Sequence, residues 1–356
     1  MRLRDRLRAV LALSLVLAAA GCAPDFRRSP TAVPAVLPSP SPARIDDAAG
    51  HRPAIVMADG ARLALKIWLP PDRQTSKAVI VAIHGFNDYS RAFTLPAATW
   101  AGQGIVTYAY DQRGFGGNPN PGRWPGSRSL CLDIATTVSL VQARWPRLPV
   151  YLLGESMGGA EAMDLMAGTC GVTPPRPAGV ILVAPAVWGR RTMPAINRMA
   201  LWFAARVLPG ARFTGSGFHI LASNNIPMLR ELGRDPLFIK ATRTDTIFGL
   251  VDVMDAGYAA PAPATAPVLL LYGAHDELIP PEAMRDVARR LSAAKGGTVR
   301  IAFYRHGWHM LLRDLEHETV AKDVSHWMAD PRAPLPSGAD TLGPAFLSGA
   351  LPVQHR

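Results

Sequence analysis

The sequence predicts an α/β fold with a mostly parallel central sheet, helices on both faces and an inserted helical cap. Three observations predict it. The runs KAVIVAIHG at 77–85, PVYLLGES at 149–156, AGVILVAPA at 178–186 and APVLLLYGA at 266–274 are nearly all apolar. Such runs lack the alternation of a half-exposed strand and suit strands covered on both faces. Segments with helical spacing separate them, and alternating strand and helix builds a parallel sheet. Several runs end on Gly, Ser, Asp or His, at the strand ends where open parallel sheets bind their ligands.

The chain has 356 residues, 49 % of them hydrophobic, enough for one large core. Its first ten residues, MRLRDRLRAV, hold four arginines, and LALSLVLAAAG follows as a short apolar run. A charged stretch before a short apolar one is the pattern of a secretory signal, and the run is too short to span a bilayer comfortably. LAAAGC resembles a bacterial lipobox, with Ala19 where that motif usually has leucine. The resemblance implies cleavage before Cys22 and acylation of its thiol, a lipid anchor that needs no spanning helix. Ala23 rather than aspartate after the cysteine implies the outer membrane of the cell envelope. Residues 1–21 are thus expected as signal peptide and 22–51 as lipobox cysteine plus tether. PDFRRSPTAVPAVLPSPSPARIDDAAG has neither strand nor helix period, and its prolines and serines make an extended spacer.

The folded body is expected from residue 52. PAIVMADGARLALKIWLP reads as two strands about a tight turn at Asp59-Gly60. After the 77–85 strand, FTLPAATWAGQG reads as a helix and IVTYAYDQRGFG as a strand ending in polar residues and glycine. SLCLDIATTVSLVQARWP carries apolar positions Leu132, Ala135, Val138 and Val141 at helical spacing and stops at Pro146. MGGAEAMDLMAG is a helix closed by Gly168, PEAMRDVARRLSA a helix opened by Pro281, TVRIAFYRHGWH a strand and its exit loop, and HETVAKDVSHWMAD a last helix.

Between Ala186 and Pro263 no buried strand is legible, and Ile196, Met199, Phe203 and Val207 recur at helical spacing with Trp202 beside them. Residues 186–263 are expected as a cap, between core parts 52–185 and 264–330. The competing reading makes these ordinary core helices. Residues 331–356 are expected as an irregular tail. Cys131 and Cys170 are read either as a disulfide or as two buried thiols.

Net charge is +11, falling to +8 without residues 1–21, but no basic run interleaved with aromatics points to nucleic acid. No H-E-x-x-H or Cys/His spacing implies a metal, and His84 is not read as a ligand. RGFGGNPN does not open a helix as a dinucleotide loop must. No cofactor is expected.

The chemistry is expected at the strand ends. GESMG at 154–158 follows a buried strand and precedes a helix, the strand–turn–helix elbow that exposes a serine oxygen. Gly154 and Gly158 leave room for the turn. The competing reading of Ser156 is a helix cap. A neutral serine needs a base and an orienting acid. Asp276 after VLLLYGAH offers the acid, the competing reading being a loop cap or surface carboxylate. His275, His306 and His309 compete for the base, and His309 is favoured because a glycine-containing loop lets it reach back over the sheet. A packed histidine is its competing reading. In elbow enzymes one donor to the developing oxyanion is the N–H after the nucleophile, here Met157. The other is expected from Phe86, in a loop shaped by His84 and Gly85.

These stretches carry a family likeness. HGFNDYS at 84–90, YDQRGFGGN at 110–118, GESMGG at 154–159, YGAHDELIP at 272–280 and HGWHMLLRDLE at 306–316 resemble, in order, motifs of the α/β-hydrolase superfamily. The resemblance is to its monoacylglycerol lipase and lysophospholipase group, also called serine aminopeptidase-like hydrolases, and covers about Ala54 to Asp330. It implies Ser156 as nucleophile, Asp276 as acid, His309 as base, Phe86 and Met157 as oxyanion donors, and a cap at 186–263 over an acyl pocket. Asn118 stands where relatives often have serine. Trp188, Met193, Ile196, Met199, Trp202 and Phe203 are expected to line that pocket, an adaptable apolar wall for an acyl chain. The expected partners are a small acyl-ester or lipid substrate and a membrane reached through Cys22. The rival activity is a peptidase, which needs a carboxylate such as Glu231, Asp235, Asp245 or Asp252 to hold a substrate amine. A further rival is an inactive envelope-binding lipoprotein on the same scaffold.

Overall fold

The computed structural model describes residues 42–191, 193–215, 220–261, 266–294 and 298–351. The expected signal peptide, Cys22 and most of the tether lie outside the described residues. Among the described residues no helix is long and apolar enough to cross a membrane.

In chain order, strands β1 (Arg44–Asp46), β2 (Ala54–Val56) and β3 (Arg62–Trp68) precede β4 (Ala78–Ile83). Helix α1 (Thr94–Gly102), β5 (Ile105–Tyr110), α2 (Ser127–Arg144), β6 (Val150–Glu155), α3 (Met157–Ala167) and β7 (Gly179–Val183) follow. The inserted region holds α4 (Ala195–Val207), β8 (Arg212–Thr214), α5 (Ile226–Arg234), β9 (Ala241–Arg243) and α6 (Thr244–Ala259). The chain then returns to the sheet with β10 (Val268–Gly273), α7 (Pro281–Ala293), β11 (Val299–Tyr304), α8 (His317–Ala329) and α9 (Gly343–Ser348).

The main sheet is nine-stranded, in the order β1-β2-β3-β5-β4-β6-β7-β10-β11. The first three strands pair antiparallel, β3 joins β5 antiparallel, and all later pairs are parallel. Every residue of β4, β6, β7 and β10 is buried, because helices cover both faces. This is why those runs do not alternate. β4 and β6 lie side by side, with Ile83 paired to Gly154, so the loop after β4 and the turn after β6 leave the sheet at one place. The Asp59-Gly60 turn forms as expected, with Gly60 at φ 83° and the Met57 N–H donating to Ala61 O at 2.8 Å.

The expected boundary at residue 52 is corrected: β1 lies inside the stretch read as tether. Its three residues carry only one apolar side chain, too short a pattern to see, yet they pair with β2, and Asp46 binds Arg62 at 2.7 Å. The irregular tail is corrected too. Residues Ala339–Leu342 form a 3-10 turn and lead into α9, whose Phe346 is fully buried and stacks on Phe303 at 5.0 Å. Of the four helix-spaced apolar positions read on α2, Ala135, Val138 and Val141 are buried and Leu132 is not. Leu130 and Ile134 are buried with them, while Leu132 is 46 % exposed. Two interleaved apolar registers in one helix made the choice ambiguous.

The inserted region is mixed: α6 buries Val251, Val253 and Met254 in the core, whereas α4 stays largely exposed. On α4 only Ala205 is buried, and Ile196, Met199 and Phe203 lie more than half exposed, at 66 %, 63 % and 54 %. The core-helix reading of that stripe therefore fails. Helix α5 and the small β8–β9 ribbon complete the cap. Cys131 and Cys170 are free thiols. Their sulfurs and an Asp164 carboxylate oxygen lie within 4.8 Å of one another, a grouping no motif foretold.

Candidate active site

Ser156 sits on the turn between β6 and α3 at φ 53°, ψ −116°. This is a conformation that costs a non-glycine residue of order 1–3 kcal/mol. Neighbouring backbone holds it there. The Ser156 N–H donates to Val183 O at 2.9 Å, and Ser156 O accepts from Gly159 and Ala186, both at 2.9 Å. Ser156 does not cap α3 with its side chain. The turn closes only over glycine. A Cβ at Gly154 would stand 2.2 Å from Gly158 O, and one at Gly158 would stand 2.3 Å from Ile83 O.

The structure brings Ser156, His309 and Asp276 together. His309 Nε2 is 3.0 Å from Ser156 Oγ, and His309 Nδ1 is 2.9 Å from Asp276 Oδ2. The fully buried Asp276 also accepts the N–H groups of Leu278 and Ile279 on Oδ1, each at 2.9 Å. Its carboxylate is thereby fixed before it meets the imidazole. Burial depresses the basicity of His309, but the charge and hydrogen bond of Asp276 outweigh it, with help from Glu155, and the imidazole ends above 6.5. His275 does not join them: it stacks on Trp308 at 5.2 Å. His306 is exposed. The loop that carries His309 is drawn over the sheet by tight glycine packing, since a Cβ at Gly273 would stand 2.4 Å from Gly307.

His84 and Gly85 build the facing loop. His84 is fully buried; its Nε2 accepts the Gln112 N–H at 2.9 Å, so the ring proton is on Nδ1 and is donated to Gly85 O at 2.8 Å. Burial holds this ring neutral. Gly85 passes so close to the elbow that a Cβ there would lie 3.2 Å from Ser156 Cβ. Phe86 is half-buried against Phe115, ring centroids 5.8 Å apart. Among the described residues the backbone N–H groups of Phe86 and Met157 make no turn or loop bond to a backbone carbonyl. Asn118, in place of the expected serine, is a structural tie: its side chain accepts Ala64 N–H at 2.9 Å and donates to Gln112 O at 3.1 Å.

The expected pocket residues divide. Trp188 and Met193 are half-buried against the core, and Met199, Trp202 and Phe203 line an open cavity of ≈ 460 Å³ with Arg190, Arg198 and Phe248. Ile196 is outside that lining, as are Ser156 and His309. Sequence reasoning missed Gln112, which braces His84 through two hydrogen bonds, and the buried Asp88, Glu155 and Arg313. These lie within or beside the recognised motifs, but no spacing rule marks them.

A hydroxyl bonded to an imidazole bonded to a buried carboxylate, on the rim of a parallel sheet, has the parts for nucleophilic acyl transfer. The comparisons agree with that chemistry. The family described as serine aminopeptidase, S33 matches residues 74–316. Human monoglyceride lipase is 27 % identical over 287 residues, 79 % of this chain and 91 % of its own length. The monoacylglycerol lipase of Mycolicibacterium smegmatis is 25 % identical over 286 residues, 76 % of this chain and 93 % of its own. The crystal structure of Paleococcus ferrophilus monoacylglycerol lipase shares the fold at TM-score 0.59 and 21 % identity, covering 75 % of this chain and 98 % of that one. The class so defined is a carboxylic-ester hydrolase of the α/β-hydrolase type. Within it, the chain belongs to the serine aminopeptidase S33 family.

Proposed function

We propose that this protein hydrolyses carboxylic esters of single-chain acyl lipids, monoacylglycerols or lysophospholipids, by a Ser156–His309–Asp276 triad. The observation that carries the reading is the continuous relay from Ser156 Oγ through His309 to Asp276, at 3.0 and 2.9 Å. Ser156 Oγ attacks the ester carbonyl while His309 Nε2 takes its proton, and Asp276 stabilises the imidazolium that forms. The N–H groups of Phe86 and Met157 donate to the carbonyl oxygen as it becomes an oxyanion. His309 returns the proton to the leaving alcohol oxygen. A water then loses a proton to His309, attacks the acyl-enzyme, and the fatty acid leaves as Ser156 is restored. The apolar cap is the natural seat for the acyl chain, and two relatives bear names that say they act on monoacylglycerols.

The peptidase reading has a specific difficulty. Each carboxylate that could hold a substrate amine is already bound to an arginine: Glu231 and Asp235 to Arg91, Asp245 to Arg243, and Asp252 to Arg190. Turnover of a series of monoacylglycerols, lysophospholipids and short esters, set against aminoacyl arylamides, tests the choice. Ester cleavage with no arylamide cleavage is expected; arylamides cleaved faster than esters would reverse it.

We place the enzyme at the envelope by a lipid on Cys22. Labelled fatty acid should enter the full chain and not Cys22→Ser; equal labelling of both removes the anchor.

A further inference from the structure

A buried ion cluster, unused in the steps above, joins the three loops that carry the reacting groups. Arg313, four residues beyond His309, is only 6 % exposed. Its Nη1 lies 2.7 Å from Asp88 Oδ2 and its Nη2 lies 3.2 Å from Glu155 Oε2. Asp88 follows Phe86 by two residues and also accepts the Tyr89 N–H at 2.8 Å. Glu155 is the last residue of β6, directly before Ser156. One guanidinium is therefore shared between a carboxylate from the oxyanion loop and a carboxylate from the elbow, and it rides on the segment of the base. Arg313 is itself held by Asn225 of the cap, whose Nδ2 donates to Arg313 O at 3.0 Å.

As packing the cluster is poorly made. Two carboxylates face one guanidinium, and Arg313 Nε, Glu155 Oε1 and Asp88 Oδ2 have no hydrogen-bond partner among the described residues, so the Arg313–Asp88 contact is an ion pair without hydrogen-bond alignment. Apolar side chains of similar volume often stabilise such a site as well or better, because desolvating the charges offsets their attraction. The arrangement calls for a role beyond stability. We propose that Arg313 is a positioning residue: it fixes the oxyanion loop, the nucleophile elbow and the base loop relative to one another and offsets the Glu155 charge beside His309. This rests on the triad reading given above.

The electrostatics run the same way. His309 faces Asp276 from the loop after β10, Glu155 from the end of β6 and Arg313 on its own segment; the two carboxylates draw a proton to the imidazole and Arg313 opposes it. Asp88 stands behind Arg313. His84, in the oxyanion loop, feels the same Asp88 and Arg313 charges. Burial pushes the Glu155 carboxyl up while Arg313 pulls it down. A lysine keeps the charge but loses the rigid fork that reaches both carboxylates.

The test measures kcat, KM and the pH profile of ester hydrolysis, with thermal melting, for wild type, Arg313→Lys, Arg313→Met, Arg313→Met/Glu155→Gln, the neutral triple Arg313→Met/Glu155→Gln/Asp88→Asn, and Ser156→Ala. The expected result is a folded Arg313→Lys with kcat down about 10–100-fold and KM within about twofold, since sub-ångström misplacement of reacting groups acts on the chemical step. The acid limb of kcat/KM should move up in Arg313→Met and fall back when Glu155→Gln is added. The neutral triple should melt near wild type and keep a low kcat. If Arg313→Met does not fold, the lysine variant and the neutral triple decide. A neutral triple with wild-type kcat overturns the positioning role, and an acid limb that stays in place in Arg313→Met overturns the charge offset. Ser156→Ala separates the two layers: if it is inactive while the Arg313 variants are normal, only the positioning role falls, whereas an active Ser156→Ala brings down the triad reading itself.

Discussion

At the scale of single residues, His309 ties protonation to both activity and stability, with opposite signs. Its imidazole is raised above 6.5 because Asp276, aided by Glu155, outweighs the effect of burial. The neutral ring is the base, so activity should fall as pH drops through the raised value, and the acid limb of kcat/KM should lie above pH 6.5. Removing the Asp276 charge leaves burial with less opposition. Asp276→Asn should move that limb down while kcat falls by roughly 10⁴-fold, as expected when the imidazole loses its orienting acid. A pH–rate series on both proteins checks this; an unmoved limb would mean that Asp276 does not face the base. Stability runs the other way. A histidine held above its unfolded value stabilises the fold fully below about pH 6.5 and loses that contribution as pH rises through the folded value. These residues were legible because each sits at a strand end in a short motif. Arg313 was not: a lone arginine after a histidine looks like any surface arginine until the fold buries it against Asp88 and Glu155.

At the scale of elements, the elbow works by exclusion of side chains. β6 delivers Ser156, and α3 begins at once, so Gly154 and Gly158 meet backbone where a Cβ would have to sit. Gly158→Ala places a carbon 2.3 Å from Ile83 O, an overlap with backbone that no rotamer change relieves. It should destabilise by about 1–3 kcal/mol in denaturant unfolding, with the midpoint shifted and the slope unchanged. A loss under ~0.5 kcal/mol, the size of an ordinary surface change, would contradict the close approach. The glycines were readable because the pentapeptide encodes the turn itself. The cap was readable as an interruption of the strand–helix rhythm, but not in its parts. Helix α5 has an apolar stripe at Ile226, Leu229 and Leu232 but is only nine residues long and buries no side chain, and the β8–β9 ribbon has three-residue strands, so neither stands out as a core element. The cap is fixed by α6, whose Val251, Val253 and Met254 are buried in the core, and by single ties: Asn87 to Thr242 at 2.7 Å, Tyr89 to Asp235 at 2.6 Å, and Leu221 N–H to Glu277 at 2.8 Å. Pairings between residues so far apart in sequence carry no local signal.

At the scale of the whole molecule, the sheet separates two apolar layers, and one of them buries a carboxyl that the site does not use. Glu161 on α3 is 1 % exposed, and burial, with Asp164 beside it, drives its carboxyl well above 4.5. The folded protein then keeps a proton that the unfolded chain releases, so this residue subtracts stability as pH rises from about 4.5 toward the folded value. Glu161→Gln should open a gain in melting temperature over wild type that vanishes near pH 4 and grows as pH rises above about 4.5, as linkage requires. A pH-independent gain would contradict the assignment. The succession of parallel strands along the chain was legible because buried runs and helical runs alternate without fault from Ala78 to Val183. The edges were not. β1 is a three-residue strand without an apolar run, and α9 hides one buried phenylalanine among prolines and glycines.

The central claim is that Ser156 is the nucleophile that His309 activates. Labelling the full chain with a fluorophosphonate and locating the adduct by peptide mass tests it most directly, with Ser156→Ala as a parallel sample. The account predicts one adduct, on Ser156, forming faster as pH rises past the imidazole's value, and none on the alanine variant, which should also lose ester turnover by about 10⁴-fold or more. An adduct on a different serine, or undiminished turnover by Ser156→Ala, would contradict it.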